Sequence, residues 1–302
     1  MTARVIRFVV SVVLLALVAR FVDVSDVIGR LAALEPGWVL LGLAISLAQV
    51  PALAWRWVYT ARRLGIELGW ARAVSEYWLG ILANQILPGG ITGDVSRAWR
   101  HARTDAPPRG AVVAVVLERA SAQVVMTSVA IVSLLTLPWA QIGVRIGVGA
   151  AVVGIVWLFV RRARLSGADG KGDGVRGDVD TALLHSEALP VQLVSALLVV
   201  GSYLAVFLIA GRAVGVDTPL LRILPLVAPV LMTMLLPVSV AGWGVREAAA
   251  ASLWGLVGLS PADGAAISVA YGLIVLASAL PGGLTLMMGS GGRGRTGRPD
   301  RA

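Results

Sequence analysis

The hydrophobic residues of this chain fall into stretches long enough to cross a lipid bilayer. At ~1.5 Å per residue, about 20 helical residues span the ~30 Å hydrocarbon core. Six stretches are predicted to be full spans: 5–22, 37–55, 111–137, 142–160, 189–211 and 264–288. The remaining apolar stretches, 73–91, 220–237 and 239–258, contain or adjoin Pro-Gly-rich breaks.

Long polar stretches are few. Residues 161–187, rich in Gly, Asp and Arg, predict a flexible cytoplasmic loop, and 289–302 predict a disordered basic tail. Neither is large enough to be a soluble catalytic domain, so a single transmembrane domain over 1–288 is predicted.

The composition supports this interpretation. Hydrophobic residues make up 57% of the 302 positions and charged residues 14%, against about 45–50% and about 25% in soluble domains. The mean hydropathy is +0.83. These values exclude a soluble fold, a disordered chain and a soluble enzyme with one anchor. The predicted fold class is an all-α polytopic membrane protein of the cell membrane, with about six to eight transmembrane helices.

Two proline-containing breaks share one spacing. In each, glycine follows proline by five residues and arginine follows it by nine, and the two breaks lie 149 residues apart: Pro88, Gly93 and Arg97 in the first, Pro237, Gly242 and Arg246 in the second. Paired broken segments in two halves of a chain are typical of inverted-repeat transporters. We therefore predict two re-entrant helices in an inverted repeat, with halves of about 1–140 and 141–288.

The distribution of basic residues agrees with this topology. With the N-terminus in the cytoplasm and both breaks re-entrant, 19 of the 26 basic residues lie on the cytoplasmic side, where basic loop residues are enriched. Arg56 is counted among these loop residues, and both termini are predicted to be cytoplasmic. Two full spans over 220–258 would give the same result, so the charge distribution leaves that alternative open.

Charged residues within apolar stretches are the candidate functional groups. Asp94 and Arg97 follow the first break, and Glu118 and Arg119 lie roughly 10 Å into a helix, where unpaired charges are costly. We expect Arg97 to pair with Glu118, and Asp94 with Arg119. The candidate residues around the two breaks are Asn84, Pro88, Gly93, Asp94, Arg97, Glu118, Arg119, Gly242, Gly244, Arg246 and Glu247. The alternative for these charges is a set of structural ion pairs that lock helices together.

Other chemistries find little support. The chain has no cysteine and two histidines, and its apolar stretches lack a paired-carboxylate metal motif, so no metal site, cofactor or enzymatic activity is expected. The net charge of +9 fits anionic headgroups better than nucleic acid in a membrane protein.

Four segments resemble the flippase-like family of the lysylphosphatidylglycerol synthase transmembrane region. They are EYWLGILANQILPGGITGDVSRAWRHAR (76–103), LERAS (117–121), LPVSVAGWGVREAA (236–249) and ALPGG (279–283). The resemblance implies a helical bundle with two re-entrant helices that moves anionic or aminoacylated lipids between leaflets. It also implies that the candidate residues line the lipid-handling cavity. The aminoacyl-transferase domain of full-length synthases is expected to be absent.

The expected function is therefore that of a flippase-like transporter for an anionic phospholipid, an aminoacylated lipid or a lipid-linked sugar. The alternative is a non-transporting scaffold that presents a lipid to a separate membrane glycosyltransferase or aminoacyl-transferase. An intramembrane transferase using Asp94 or Glu118 is a third hypothesis. The sequence leaves open the lipid, any coupling ion, the oligomeric state, and driven transport against passive scrambling.

Overall fold

The computed structural model describes residues 2–87, 90–103, 106–137, 174–236 and 238–285. Every regular element within these ranges is helical, as predicted. We number the helices α1 (Thr2–Phe21), α2 (Val24–Ala32), α3 (Pro36–Arg63), α4 (Trp70–Ile86), α5 (Thr92–Ala102), α6 (Pro108–Thr136), α7 (Val175–Val179), α8 (Ala188–Ala213), α9 (Leu220–Met232), α10 (Val245–Leu256) and α11 (Pro261–Ala279).

Four helices are long and apolar enough to cross a membrane: Pro36–Arg63, Pro108–Thr136, Ala188–Ala213 and Pro261–Thr285. A fifth span is possible if the pair α1 and α2, bent by 102°, counts as one. These confirm a polytopic membrane protein. The predicted span 142–160 lies outside the described residues. The second span continues to Arg63 instead of ending near residue 55, which places Arg56 inside a helix.

Helices α3 and α8 pack side by side in opposite directions. The Glu35 amide donates to the carbonyl of Ala213, and Arg63 donates to the carbonyl of Thr181 just before α8. The bundle therefore has two ends, which we call the Pro36 end and the Arg63 end. The short helix α2 lies at the Pro36 end, where Arg30 pairs with Asp263 at 2.9 Å.

The helices flanking each break form a short hairpin. The base of hairpin 1 (α4–α5) lies at the Arg63 end, where His101 contacts the carbonyl of Glu67. The base of hairpin 2 (α9–α10) lies at the Pro36 end, where Arg222 donates to the carbonyl of Val257. Their helices have 17, 11, 13 and 12 residues, fewer than the ~20 that a span requires. Each of these helices is therefore too short to cross the hydrocarbon core by itself.

The two hairpins enter from opposite ends and meet inside the bundle. A Cβ built on Gly90, at the tip of hairpin 1, would lie 3.9 Å from the carbonyl oxygen of Met234, at the tip of hairpin 2. The two Pro-Gly breaks, far apart in sequence, are therefore neighbours in the fold.

The order of elements repeats with the sequence offset of 149 found at the breaks. Shifted by 149 positions, α3, α4, α5 and α6 begin within four residues of α8, α9, α10 and α11. The packing repeats as well, because the contact of α3 with α6 has a counterpart in α8 with α11, and that of α6 with α9 in α11 with α4. The segments α3–α6 and α8–α11 therefore share one order of helices and one packing pattern, and their hairpins enter the bundle from opposite ends.

The predicted flexible loop 161–187 needs a local correction. Its described part, 174–187, contains α7 and a wide helical turn at Asp180–Leu184. Ala182 is buried, and Arg109 pairs with Asp178. This part is helical because its apolar side chains pack against the Arg63 end of the bundle.

Candidate functional site

Hairpin 1 is closed by a side chain and by two glycines. The Asn84 side-chain oxygen accepts a 2.7 Å hydrogen bond from the Gly93 amide, which satisfies an N–H group at the start of α5. A Cβ on Gly93 would overlap the carbonyl oxygen of Gly80 and lie 2.7 Å from its Cα. The glycine therefore allows α4 and α5 to pack backbone to backbone. Pro88, the other predicted residue at this break, lies outside the described residues.

Arg97 occupies the centre of a buried charge cluster. Its side chain is 1% exposed, and it donates to the Glu118 carboxylate at 2.8 Å. It also contacts Asp94 at 3.1 Å. The guanidinium carbon lies 4.2 Å from the ring centre of Tyr77 and 4.8 Å from that of Trp57. Two carboxylates and two aromatic rings thus replace the water lost by a charge buried in this way.

The expected pairings are both confirmed. Arg97 pairs with Glu118, as above, and Arg119 pairs with Asp94 at 3.1 Å. Asp94 therefore bridges two arginines, with Arg97 on one carboxylate oxygen and Arg119 on the other. The Tyr77 hydroxyl donates to Glu118 at 2.6 Å.

Arg119 differs from its neighbours in exposure. Its side chain is 46% exposed, whereas those of Arg97 and Glu118 are 1% exposed. It also lies well inside the apolar helix α6, where an exposed arginine faces a cavity or reaches headgroups. Arg119 is therefore the most accessible member of the cluster.

Arg56 belongs to this cluster, and the sequence prediction that placed it in a cytoplasmic loop was wrong. It lies on α3, is 1% exposed, and has its Nε 3.9 Å from the Glu118 carboxylate. Its other nitrogens donate to Ser121, to Ser195 and to the carbonyl of Gln192. The helical position of Arg56 was missed because α3 extends beyond its most apolar stretch. One available signal was the row of polar residues in α8 that faces it.

Hairpin 2 contains a second buried charge cluster. Arg246 donates to Glu247 at 2.7 Å, to the Ser268 hydroxyl at 2.8 Å and to the Ser268 carbonyl at 3.0 Å. Its guanidinium carbon lies within about 5 Å of the rings of Trp243 (5.3 Å) and Tyr271 (5.2 Å). As in hairpin 1, an arginine is surrounded by a glutamate, a tryptophan and a tyrosine. The partners come from different elements, so the resemblance is of chemistry rather than of aligned positions.

Glu247 also shapes the start of α10. Its second oxygen accepts a 2.6 Å hydrogen bond from the Gly244 amide. Gly242 and Gly244 have φ of +81° and +86°, a region that side chains with a Cβ rarely adopt. A Cβ on Gly244 would also lie 2.7 Å from that of Leu14 in α1. The glycines of the second motif are therefore required by the turn itself.

Gly272 leaves the space that Arg246 occupies, which gives a first testable prediction. A Cβ there would overlap the Arg246 guanidinium and lie 2.8 Å from the Trp243 ring. We expect Gly272→Ala to lower the thermal unfolding midpoint in detergent, because overpacking a core costs about 1–3 kcal/mol. Gly201→Ala in α8 is the matched control, since nothing lies within 4 Å of its added Cβ. An equal response of both variants would contradict the packing of Arg246 against Gly272.

The two clusters are linked through the hairpin tips. The Met234 sulfur accepts from Arg246 at 3.7 Å, while its backbone faces Gly90. The Met232 sulfur accepts from Gln123, one turn beyond Arg119 on α6, at 3.0 Å. Of the predicted site residues that are described, Asn84, Gly93, Asp94, Arg97, Glu118 and Arg119 meet at hairpin 1, and Gly242, Gly244, Arg246 and Glu247 meet at hairpin 2.

The clusters suit anions better than metal ions. The described ranges hold no group of three or more His, Cys, Asp or Glu side chains that could bind a metal. Arginine's planar fork can contact two phosphate oxygens at once. A buried arginine next to a half-exposed one can therefore hold a phosphate group inside the membrane.

Comparison with known proteins adds one match. The family described as "Lysylphosphatidylglycerol synthase TM region" matches residues 4–283. This range contains both hairpins and both charge clusters. No curated protein matches the chain.

Proposed function

The chain belongs to the lysylphosphatidylglycerol synthase transmembrane-region family, and from this premise we propose that it is a flippase-like transporter. Its substrate is an anionic, aminoacylated or glycosylated lipid, which it moves between leaflets without covalent chemistry. The lipid's phosphate binds to Arg97 or Arg246 while its acyl chains stay in the bilayer. This proposal deepens the family assignment, which by itself identifies only a membrane protein of this kind.

One observation carries the proposal: two short hairpins enter from opposite ends and bring buried arginines close to their meeting point. Each hairpin is too short to span, so its tip ends inside the membrane. Irregular backbone at that depth is tolerated where protein or a water-filled cavity surrounds it. Arginines beside such tips favour a site for a charged headgroup at mid-membrane depth.

The repeated design supports movement as well as binding. We propose that the halves, about 1–140 and 141–288, are inverted repeats that rock against each other. Rocking would separate the tips at Gly90 and Met234 and open the site to each side in turn. Asp94, Glu118 and Glu247 balance the arginines, and they also provide carboxylates for a cationic headgroup such as a lysyl group.

Lipids that co-purify with the protein provide the test. We expect one anionic or glycosylated lipid to be enriched at least about fivefold over the bulk membrane, an effect of ~1 kcal/mol. The enrichment should be lost in the double variant Arg97→Ala/Arg246→Ala, because the phosphate-binding arginine is then absent whichever hairpin holds the lipid. Mass spectrometry of the extracted lipids measures both. A matched variant, Arg63→Ala, removes an arginine that pairs with Glu187 at the bundle end and should retain the enrichment.

Transport is tested separately in vesicles. A fluorescent derivative of the enriched lipid should become accessible to external dithionite beyond the outer-leaflet fraction when wild-type protein is present. Enrichment without such movement would support a scaffold that presents the lipid to a separate membrane transferase. Neither enrichment nor movement would leave the arginines as structural ion-pair partners.

A further inference from the structure

The two hairpins are alike in design but unlike in charge. Cluster 1, at hairpin 1, contains three arginines and two carboxylates: Arg56, Arg97, Arg119, Asp94 and Glu118. Cluster 2, at hairpin 2, contains one of each, Arg246 and Glu247. Among the described residues, cluster 1 therefore carries one positive charge more than its own carboxylates neutralise, and cluster 2 carries none.

The two clusters also differ in how completely their polar atoms are hydrogen-bonded. In cluster 2 each Arg246 nitrogen has a partner, and both Glu247 oxygens accept hydrogen bonds. In cluster 1 the Arg97 Nη1 and the Arg56 Nε are buried without a hydrogen-bond partner. Both side chains are 1% exposed, and buried donors of this kind are costly unless a partner arrives. All polar side-chain atoms of cluster 2 are hydrogen-bonded, whereas cluster 1 leaves two arginine donors without a hydrogen bond, against one acceptor, the Asp94 oxygen that faces Arg119.

The Arg56 Nε lies beside Glu118. It is 3.9 Å from one carboxylate oxygen, while Arg97 binds the other oxygen at 2.8 Å. A small shift of the Glu118 side chain would bring it within hydrogen-bond distance of Arg56. Arg56 itself is fixed, because Ser121, Ser195 and the Gln192 carbonyl hold its other nitrogens.

Resting on the proposed function, we infer that the anionic group binds at hairpin 1 alone and that Arg56 is the positioning residue that makes this possible. The group enters beside the half-exposed Arg119 and takes Glu118's place on Arg97. Glu118 then pairs with Arg56 instead of remaining a buried unpaired charge. Hairpin 2 is a structural counterpart that binds no anion.

This movement of Glu118 from Arg97 to Arg56 explains why cluster 1 carries one more positive charge than its carboxylates neutralise. An arriving phosphodiester brings one negative charge, which makes the number of negative charges in cluster 1 equal to that of its arginines. Without Arg56, the same step would leave Glu118 without a cationic partner, and a buried carboxylate of that kind opposes binding. The common chemistry of the ligand is a phosphate group, carried by a lipid or present in solution.

A binding measurement in nanodiscs tests the inference. The protein is placed in phosphatidylcholine with a small fraction of spin-labelled phosphatidylglycerol, and the immobilised fraction gives the relative affinity. We expect Arg56→Gln to lower the affinity about tenfold, which corresponds to ~1.4 kcal/mol. Arg56→Lys keeps the charge and should retain most of the affinity. Arg63→Gln is the matched control, since it makes the same change on the same helix at an arginine that pairs with Glu187 outside the cluster, and it should leave the affinity unchanged.

A double-variant cycle separates partner exchange from a direct or a structural role. When Glu118→Gln is already present, no carboxylate needs a new partner, so adding Arg56→Gln should reduce the affinity about twofold or less. An undiminished loss would overturn the exchange, and so would equal losses in Arg56→Lys and Arg56→Gln. If Glu118→Gln does not fold, the comparison of Arg56→Lys with Arg56→Gln decides the question.

Further arms identify the ligand and test hairpin 2. Inorganic phosphate is added to the protein in pure phosphatidylcholine, and thermal unfolding is followed. An Arg56-dependent response to phosphatidylglycerol alone identifies a lipid headgroup, and a response to both identifies phosphate as such. If neither phosphatidylglycerol nor inorganic phosphate gives an Arg56-dependent response, the inference is overturned.

The double variant Arg246→Gln/Glu247→Gln tests hairpin 2. It should leave phosphatidylglycerol binding within about twofold of wild type, and a tenfold loss would overturn the proposed difference between the hairpins. Because binding is measured here without transport, failed lipid movement in vesicles would refute the transporter alone.

Discussion

Replacing Arg97 and Glu118 together with glutamine is expected to leave the protein folded and to abolish lipid movement. Each single change removes one partner of a buried ion pair, which typically costs about 3–5 kcal/mol because the other charge is left behind. The double change removes both charges and keeps side chains of similar length. Its folding stability should therefore lie closer to wild type than that of the Arg97→Gln variant.

The double variant distinguishes the two interpretations of this pair. If Arg97 and Glu118 only lock α5 to α6, a neutral pair that folds should also transport. If Arg97 holds the lipid's phosphate, transport should fall at least about a hundredfold, since a charge-assisted contact within a buried site contributes several kcal/mol. Thermal unfolding in detergent and dithionite accessibility in vesicles give the two readouts. Normal transport by a stable double variant would refute the role of Arg97 in binding.

The sequence predicted these pairings because depth restricts the partners. A glutamate and an arginine next to each other in α6 point about 100° apart around the helix, so they need different partners. Asp94 and Arg97 were the charged residues at the nearest break. The structure pairs them as expected, with Glu118 on Arg97 and Arg119 on Asp94. These ion pairs could be predicted from the sequence because apolar helices contain few charged residues, so each charge has few candidate partners.

The missed features depend on tertiary packing. Arg56 was assigned to a loop because hydropathy falls near the end of α3, although the helix continues to Arg63. Its burial depends on polar groups of α6 and α8, which are distant in sequence. Tyr77 and Trp57 were likewise invisible as partners of Arg97, since aromatic residues are common in any membrane helix. The positions of helix ends, and the contacts between residues distant in sequence, depend on the fold rather than on a local sequence pattern.

The repeat was recognisable at the breaks, while its extent required the structure. Proline, glycine and arginine share their spacing in both breaks, and the helices on either side follow the same offset of 149. Glu118 has no acidic counterpart at this offset, because Ile267 stands at the equivalent position. The helices related by this offset therefore share their order, whereas the buried charges beside them differ.

The second large effect is expected from a single methyl group in hairpin 1. Gly93→Ala should strongly reduce the amount of folded protein, because its Cβ would overlap the carbonyl oxygen of Gly80 on α4. The added Cβ is fixed to the α5 backbone and the oxygen belongs to the α4 backbone, so neither can move aside as the end of a flexible side chain would. Separating α4 from α5 would also break the bond from the Gly93 amide to Asn84 and shift Arg97 away from Glu118.

The same helix crossing provides its own control. A Cβ on Gly80 would lie 3.5 Å from the Gly93 carbonyl oxygen, an ordinary contact distance. Gly80→Ala should therefore fold, and alanine's better helix propensity should offset part of any strain. We expect the Gly93→Ala variant to yield less than about a tenth of the wild-type monodisperse peak in size-exclusion chromatography, a loss of at least ~1.4 kcal/mol, and Gly80→Ala to remain near wild type. Equal yields for the two variants would mean that α4 and α5 do not approach each other at Gly93. The buried geometry of Arg97, and with it the site proposed for the lipid's phosphate, would then have to be rebuilt from a different hairpin.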